Sequence, residues 1–188
     1  MAQLAGEPVA LFLSAYRTVR DCARAGVLGL PNPIDDYRDA IVRAIVQRVA
    51  WAKVAVGGRT IGEIGKGFVI LLGVGRVDSE TDADYIADRI MGLRVFADEA
   101  GKMNLALAAA DGALLVISQF TLHADTRQRR PSFTQAATPD EARRLYHYFL
   151  SIVKKSGAKV EEGEFGAHME VTLANDGPVT IMLDSKRG

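Results

Sequence analysis

Two short polar segments of this 188-residue sequence carry residue types that could take part in a reaction. The first is Ser118-Gln119-Phe120-Thr121, in which two hydroxyls and an amide follow the apolar run that begins at Ala113. Backbone N–H groups at the end of a buried strand can stabilise a developing anion, with a hydroxyl close by. Serine and threonine are also common in turns, so an ordinary turn is an equally weighted interpretation.

The second segment is Asn-Asp-Gly-Pro-Val-Thr at residues 175–180. Asn-Asp-Gly predicts a turn, and an X-Pro bond adopts the cis form at a cost of about 1 kcal/mol. A cis bond between Gly177 and Pro178 would aim two carbonyls in an unusual direction, where they could accept hydrogen bonds from an ammonium group of a ligand. From the residues alone, this binding function is a hypothesis beside the plain interpretation of a turn.

The rest of the sequence offers little for other kinds of chemistry. The three histidines, His123, His147 and His168, lie in separate segments and lack the spacing of metal ligands. The sequence contains neither a nucleophile elbow nor a phosphate-binding glycine loop. It therefore predicts no metal and no cofactor. A single histidine two residues after Thr121 is weak evidence for a catalytic base.

The elements that position these segments follow from apolar patterning. Helical spacing predicts one helix that begins near Asp78 or Ser79 and a second that opens with a capping box at Thr138–Glu141. Alternating or continuous apolar runs predict strands, with a hairpin turn at Gly57-Gly58. The predicted strands cover residues 42–47, 52–56, 60–61, 68–74, 113–120, 158–162, 169–174 and 179–184. This order predicts an α/β domain in which sheet layers are covered by two main helices.

The first 40 residues differ from the remainder. Helical spacing over residues 8–25 and the Gly-Leu-Pro-Asn-Pro sequence at residues 29–33 predict a helix followed by a linker. We expect residues 1–40 to be an N-terminal extension and residues 41–188 to be the main domain. The extension is either an added helix packed on the domain or a segment upstream of the true start of translation.

Composition limits the partners and the compartment. The chain has 23 basic and 23 acidic residues, and this zero formal charge excludes a basic tail or a histone-like wrapping surface. The single cysteine, Cys22, cannot form an internal disulfide. The apolar run at residues 9–13 is too short to span a bilayer. The sequence therefore predicts a cytoplasmic protein with no membrane partner.

Both polar segments belong to a series of motifs that follow one another along the chain. The sequence reads Arg-Ala-Ile-Val-Gln-Arg-Val from residue 43, Gly-Glu-Ile-Gly-Lys-Gly from 62, Leu-Leu-Gly-Val from 71 and Gly-Lys-Met-Asn-Leu from 101. It continues with Ser-Gln-Phe-Thr-Leu from 118, Arg-Pro-Ser-Phe from 130, Gly-Glu-Phe-Gly-Ala from 163 and Asn-Asp-Gly-Pro-Val-Thr from 175. Each motif is weak alone, but together they resemble the D-aminoacyl-tRNA deacylase family over residues 42–185.

The resemblance implies mixed sheets in β/β/α layers and a homodimeric enzyme. Such an enzyme hydrolyses the ester that joins a D-amino acid, or mischarged glycine, to the 3′ end of tRNA. The expected partner is the acceptor 3′ end of D-aminoacyl-tRNA, with no DNA partner. In the family a Gly-cis-Pro pair, here Gly177-Pro178, reaches into the site of the other subunit and leaves no room for an L side chain.

The resemblance also assigns roles to individual residues. The expected catalytic residues are Ser118, Gln119, Phe120 and Thr121. Substrate binding and the rejection of L-amino acids are expected of Arg48, Phe165, Met169, Asn175, Gly177, Pro178, Val179 and Thr180. Binding of tRNA is expected of Arg127, Arg129 and Arg130, since positive charge suits the phosphates of the acceptor end.

Two mechanisms are compatible with the resemblance. Thr121 matches a residue once assigned as the nucleophile, but a threonine hydroxyl needs an activating base. The mechanism favoured for the family is assisted by the terminal 2′-hydroxyl of the tRNA, while backbone N–H groups of residues 119–121 stabilise the oxyanion. The alternative function is a non-catalytic tRNA-binding dimer that retains the fold.

Overall fold

The computed structural model describes residues 42–185, a range that contains eight strands and two α-helices. The strands are β1 (Arg43–Val56), β2 (Arg59–Ile64), β3 (Gly67–Gly73), β4 (Phe96–Ala97), β5 (Met103–Leu105), β6 (Ala113–Ser118), β7 (Lys159–Glu162) and β8 (Glu170–Asp184). The helices are α1 (Glu80–Gly92) and α2 (Pro139–Lys155), and short 3₁₀ turns lie at Ala108–Ala110 and Phe120–His123. The predicted N-terminal helix and linker, and the division at residue 40, lie outside the described residues and stay predictions.

Six strands form one mixed sheet in the order β2-β1-β3-β6-β7, with β8 paired to β1. β1 is antiparallel to β2, β3 and β8, whereas β6 is parallel to both β3 and β7. The chain passes through α1 between β3 and β6 and through α2 between β6 and β7, which gives each parallel pair the long crossover that it needs. β4 and β5 form a separate two-stranded ribbon.

The sheet lies between two hydrophobic clusters. On one face, alternate residues of β3 and β6 such as Phe68 and Leu114 pack with the buried stripes of α1 and α2. On the other face, Val69 and Leu115 pack with the second half of β1, represented by Val54, and with β2. The second half of β1 and β2 therefore cover the face opposite to the helices. The predicted α/β fold with β/β/α layers and two main helices is confirmed.

Two pairs of predicted strands are single strands in the structure. The strands predicted at residues 42–47 and 52–56 are one strand, β1, and those predicted at 169–174 and 179–184 are one strand, β8. The reason is that both halves of β8 pair with the same partner, β1. The polar segment between the two halves is therefore a bulge within one strand and not a connection between two.

The two helices begin where the sequence predicts, but the predicted capping box at α2 is wrong. The side chain of Thr138, which precedes α2, makes no capping hydrogen bond. Glu141, the expected acid of the box, instead accepts a hydrogen bond from the guanidinium of Arg144 at 2.7 Å. At α1, the Asp82 carboxylate accepts the backbone N–H and the hydroxyl of Ser79 at 2.9 and 2.7 Å. Within residues 42–185, neither helix has the length and apolar character needed to cross a membrane.

Candidate functional site

A cavity of about 550 Å³ opens at the carboxyl ends of the parallel strands β3 and β6. In an open α/β sheet, ligands commonly bind at this end of the strands. The walls are mainly apolar and come from both strand ends, the segment after β6, helix α2 and the loop before β8. The structure brings five of the predicted site residues together here, namely Ser118, Gln119, Phe120, Phe165 and Met169.

The backbone after β6 forms a tight turn at the floor of this site. β6 ends at Ser118, before its predicted end, because the chain enters the 3₁₀ turn Phe120–His123. The N–H of Gln119 donates to the carbonyl of Leu72 at 2.7 Å, which ties the turn to the end of β3. This N–H is therefore engaged, contrary to the expectation that it faces a ligand. The N–H groups of Phe120 and Thr121 head the turn, where helical backbone leaves its first donors without an internal partner.

Among residues 42–185, the hydroxyl of Thr121 is hydrogen-bonded to a side-chain amide and not to a base. Thr121 is exposed, and its Oγ1 accepts a hydrogen bond from Nε2 of Gln119 at 2.5 Å. An amide does not take up a proton at neutral pH, so Gln119 cannot activate this hydroxyl. Among the described residues, none is placed by a hydrogen bond to act as a general base on Thr121.

His123 is buried under the same turn, with only 3% of its surface exposed. A Cβ added at Gly73 would come within 3.2 Å of the imidazole, so the ring packs against the end of β3. Its Nε2 has no hydrogen-bond partner among residues 42–185. Burial is the largest influence and lowers the pKa of His123; the Gly73 carbonyl and Asp184 oppose this shift, and Arg43 reinforces it. The ring is therefore neutral at pH 7 and supports the turn.

Tyr146 joins one wall of the cavity to the core. Its hydroxyl donates to the carbonyl of Val116 at 2.9 Å, and the side chain is 1% exposed. The same carbonyl accepts the backbone N–H of Gly163 at 2.9 Å. Burial raises the pKa of Tyr146, so the hydroxyl stays protonated and keeps donating. One carbonyl of β6 thus fixes both α2 and the start of the loop before β8.

Further residues lie at the site beyond those expected from the sequence. The ring of Phe133 meets that of Phe120 edge-on with 5.1 Å between centroids, and Phe120 remains 56% exposed. The Arg143 guanidinium lies 4.8 Å from the ring centre of Phe165. His168, just before the strand predicted from residue 169, precedes β8 and lines the cavity. The Arg-Pro-Ser-Phe motif is the sequence signal that points to Phe133.

The second predicted segment lies in the bulge of β8, and the side chain of Arg48 binds it. β1 pairs with β8 on both sides of the bulge, so Arg48 alone lies opposite residues 176–179. Nε of Arg48 donates to the backbone carbonyl of Asp176 at 3.2 Å and lies 3.1 Å from its carboxylate. Arg48 also donates to the carbonyl of Val95. The arginine thus links the bulge to the segment after α1.

The backbone of the bulge is closely confined at Gly177. The Gly177–Pro178 bond is cis, and the φ of Gly177 is 134°. A Cβ added at Gly177 would lie 2.8 Å from the backbone nitrogen of Val179 and 3.2 Å from the Arg48 guanidinium. Residues 175–180 do not line the cavity of their own chain. A single chain therefore keeps the two predicted groups of site residues apart, with Asn175, Gly177, Pro178, Val179 and Thr180 in the bulge region.

The three predicted tRNA-binding arginines lie in the exposed loop before α2. Arg127 and Arg130 line a second cavity of about 480 Å³, together with Asp125 and Ser132. Nε of Arg127 donates to both carboxylate oxygens of Asp125, at 2.9 and 2.8 Å. The charge of Arg127 is therefore largely compensated within the loop, whereas Arg129 is exposed and forms no ion pair with a carboxylate among residues 42–185.

The site is built from main-chain donors, hydroxyls, amides and apolar walls. In the part of the chain that the structure describes, no three His, Cys, Asp or Glu side chains come together in a group that could hold a metal ion. The groups that can contact a ligand at the turn are the Ser118 hydroxyl, the Gln119 amide and the N–H groups of Phe120 and Thr121. Such an arrangement can orient an ester and stabilise charge on its carbonyl oxygen.

Comparison with solved structures defines the class of fold. A protein described as "c-Myc DNA Unwinding Element Binding Protein" superposes with a TM-score of 0.72 at 38% identity, covering 75% of this chain and 97% of that one. A structure described as that of a probable eukaryotic D-amino acid tRNA deacylase gives a TM-score of 0.70 at 14% identity, covering 77% and 99%. The second likeness shows the fold alone. The domain is therefore of the tRNA deacylase fold class, with its cavity at the ends of the parallel strands.

Sequence comparison gives the family. The family described as "D-Tyr-tRNA(Tyr) deacylase" matches residues 45–184. The D-aminoacyl-tRNA deacylase of Thermosipho africanus (strain TCF52B) is 54% identical over 147 residues, which are 78% of this chain and 99% of that protein. That of Lacticaseibacillus casei (strain BL23) is 56% identical over 146 residues, 77% and 99% of the two chains. The chain belongs to the D-Tyr-tRNA(Tyr) deacylase family and is an enzyme of that class, as the sequence predicts.

The buried imidazole of His123 generates a prediction about stability and pH. Below pH 6.5, the ordinary pKa of histidine, the unfolded chain takes up a proton that the folded chain does not, because burial lowers the pKa of His123. The unfolded state then binds more protons, so the free energy of unfolding falls as the pH falls from 6.5 toward the lowered pKa of the folded state. Urea unfolding at about pH 7.5 and about pH 5.5 measures this loss.

His123→Leu should lose less stability over the same pH interval than the wild type does, although it starts from a different stability at neutral pH. His147→Gln is the control for the removal of a histidine that is exposed on α2. The same pH dependence in wild type and His123→Leu would contradict the assignment to His123.

Proposed function

We propose that this enzyme hydrolyses the ester of D-aminoacyl-tRNA, and of glycine mischarged on tRNA, to the free amino acid and tRNA. The observation that carries the proposal is the Ser118–Thr121 segment, which borders a cavity at the strand ends in a chain 54% identical to a D-aminoacyl-tRNA deacylase. A cavity of about 550 Å³ is of the size that takes a small ligand such as an aminoacylated nucleoside. We place the activity in the cytoplasm.

The aromatic rings at the cavity suit the unpaired end of a tRNA. Phe120 and Phe133 are exposed and contact each other edge-on, 5.1 Å apart. Proteins bind single-stranded RNA largely by stacking its bases on such rings. The formal charge of zero also favours contact with the end of a tRNA over contact along its length.

We infer that residues 175–180 complete the cavity of a second subunit. They lie on β8, which pairs with β1 on one side and is an edge strand among the described residues. A long edge strand readily accepts another chain. Val171, Leu173 and Met182 on β8, and Trp51 on β1, expose apolar side chains that a second copy would bury. These features support a homodimer in which each cavity receives the bulge of its partner.

In such a dimer, the backbone of the bulge would reject L-amino acids. Arg48 binds the carbonyl of Asp176, and Gly177 is confined by the backbone of Val179, so the bulge has little freedom to yield. A fixed backbone that blocks the L side chain does not need to grip the D side chain. Glycine, which has no side chain, would then be accepted as well.

The geometry around Thr121 supports catalysis assisted by the 2′-hydroxyl of the terminal ribose. The Thr121 hydroxyl accepts the Gln119 amide and is not hydrogen-bonded to a base among the described residues. Attack of water on the ester carbonyl places negative charge on the carbonyl oxygen. Because the Gln119 N–H already donates to Leu72, the N–H groups of Phe120 and Thr121 are the main-chain donors that would stabilise this charge. Ser118 and Gln119 are then positioning groups on the cavity wall.

The arginine loop before α2 is proposed to contact phosphates of the acceptor end. Asp125 already engages Arg127, so we assign the phosphate contacts to Arg129 and Arg130 and give Arg127 the role of holding the loop in shape. Contacts of this kind weaken as the salt concentration rises.

The alternative function is a tRNA-binding dimer that retains the fold without turnover. One structural relative is named as a DNA-element binding protein, so binding of nucleic acid without hydrolysis is a real competitor. The segments at residues 118–121 and 175–180 are both intact in this sequence, which favours the enzyme. A protein that had lost turnover would have no need to keep them.

The test compares hydrolysis of D-tyrosyl-tRNA, L-tyrosyl-tRNA and glycyl-tRNA by the full-length chain. We expect the D and glycyl esters to be cleaved at least about 100-fold faster than the L ester, because the L side chain meets a fixed backbone. Binding of tRNA without cleavage of any ester would favour the alternative function. Equal cleavage of the D and L esters would contradict rejection by the bulge.

Gly177→Ala tests the bulge in the same assay. The added methyl group forces residues 176–179 to move because it meets the backbone of Val179 at 2.8 Å. We expect the kcat/KM for D-tyrosyl-tRNA to fall by about 100-fold, as displacements near 1 Å do at reacting centres. Gly58→Ala is the matched control, since Gly58 also has a positive φ but nothing lies within 4 Å of an added Cβ. Equal activity of the two variants would show that the shape of the bulge does not affect the reaction.

Thr121→Ala distinguishes the two mechanisms. We expect kcat for D-tyrosyl-tRNA to stay within about tenfold of the wild type, because the variant keeps the backbone N–H groups and loses only the hydroxyl. Single-turnover kinetics on tRNA ending in 2′-deoxyadenosine give the complementary measurement and should show a large loss. A loss of about 10⁴-fold in kcat for Thr121→Ala, with unchanged binding of the substrate, would instead favour Thr121 as the nucleophile.

A further inference from the structure

Arg143 lies on the face of α2 that forms one wall of the cavity. Pro139, Ala142 and Tyr146 of this helix line the cavity. Position 143 lies four residues after Pro139 and three before Tyr146, the spacings of neighbours on one helix face. The Arg143 guanidinium lies 4.8 Å from the ring centre of Phe165, another lining residue. Because Arg143 is exposed, it puts a positive charge at the rim of a mainly apolar cavity.

The adjacent Arg144 shows how an arginine of this helix is used for structure. Its guanidinium forms ion pairs with Glu141 at 2.7 Å and with Glu80 of α1 at 2.5 Å. Arg143 has no ion pair with a carboxylate among residues 42–185, and its contact there is the ring of Phe165. A cation–π contact at an exposed site contributes only about 0.5–1 kcal/mol. It also leaves the N–H donors at the edge of the guanidinium available to an acceptor.

We propose that Arg143 binds the phosphodiester that joins the last two nucleotides of the tRNA acceptor end. The inference rests on the proposed function, since the aminoacyl ester must enter the cavity whose rim Arg143 occupies. A guanidinium binds phosphate oxygens through paired N–H donors, and the contact with Phe165 holds it at the rim before the substrate arrives. The site would then recognise the nucleotide chain as well as the ester.

The charge of Arg143 also orients the substrate within the cavity. The α-ammonium group of an aminoacyl ester is a cation, which a nearby guanidinium repels. The aminoacyl end therefore belongs beside Phe120 and Thr121, and the phosphodiester belongs beside α2. The exposed arginines at positions 129 and 130 would act on phosphates farther along the acceptor strand.

The experiment compares Arg143→Gln with Arg144→Gln on two substrates. D-Tyrosyl-tRNA has the phosphodiester, whereas 3′-O-(D-tyrosyl)adenosine lacks it. We expect Arg143→Gln to raise KM for the tRNA about tenfold with kcat little changed, and to leave kcat/KM for the adenosine ester as in the wild type. The slope of log kcat/KM against log salt should become shallower by about 0.7, the value for one contact to a single strand. Arg144→Gln should change none of these values.

Arg143→Lys keeps the charge and should recover part of the loss in KM. An equal loss on both substrates would overturn the inference, because Arg143 would then only support the wall at Phe165. Unchanged KM for the tRNA would overturn it too. Calorimetric binding tests the same point without turnover. Arg143→Gln should bind the trinucleotide CCA more weakly than the wild type does, and should bind adenosine as the wild type does. Another outcome is that the wild type cleaves no D-tyrosyl-tRNA while Arg143→Gln still binds CCA more weakly than the wild type does. In that outcome the proposed hydrolysis would fail, but the contact of Arg143 with the phosphodiester would stand.

Discussion

The domain depends on the pairing of β1 with β8, two strands that bring unequal numbers of residues to one ladder. On both sides of Arg48 the pairing is kept, and at that point residues 176–179 must be accommodated opposite a single residue. The excess cannot enter the ladder, so it leaves the sheet as a bulge. Arg48 stabilises this bulge by binding the backbone carbonyl and the carboxylate of Asp176. Because β3 pairs with the same β1, and β6 with β3, this ladder also fixes where the cavity opens.

The two polar segments are shaped by main-chain groups that the sheet holds in place. The Gln119 N–H binds the Leu72 carbonyl, and Gly73 has no room for a side chain because an added Cβ would lie 2.9 Å from the Gln119 carbonyl oxygen. The turn that follows is therefore positioned mainly by backbone contacts, with the buried ring of His123 packed beneath it. This explains why hydroxyls, an amide and glycine occur where a side-chain nucleophile with its base would otherwise be expected.

Local patterning locates the two helices and the buried apolar runs, because an apolar stripe or run is a property of the residues themselves. It also divides β1 in two and extends β6 beyond Ser118. It fails where the outcome depends on a distant partner. Residues 175–180 look like a connection between strands, and only the pairing of both halves of β8 with β1 shows a bulge. The motifs locate the segment at Ser118, but they do not show that Leu72 takes the N–H of Gln119. The contact of Arg143 with Phe165 joins a helix to a loop and leaves no periodic signal.

The bulge has a consequence for how such a domain can change over evolutionary time. A slip of one residue within a ladder exchanges the buried and exposed faces of a whole strand, so insertions there are not tolerated. Residues 176–179 lie between two stretches of ladder that β1 fixes independently. An inserted or deleted residue at this place would alter how far the bulge projects while both stretches keep their register. The part of the chain whose length can vary is thereby separated from the part that must stay constant for folding.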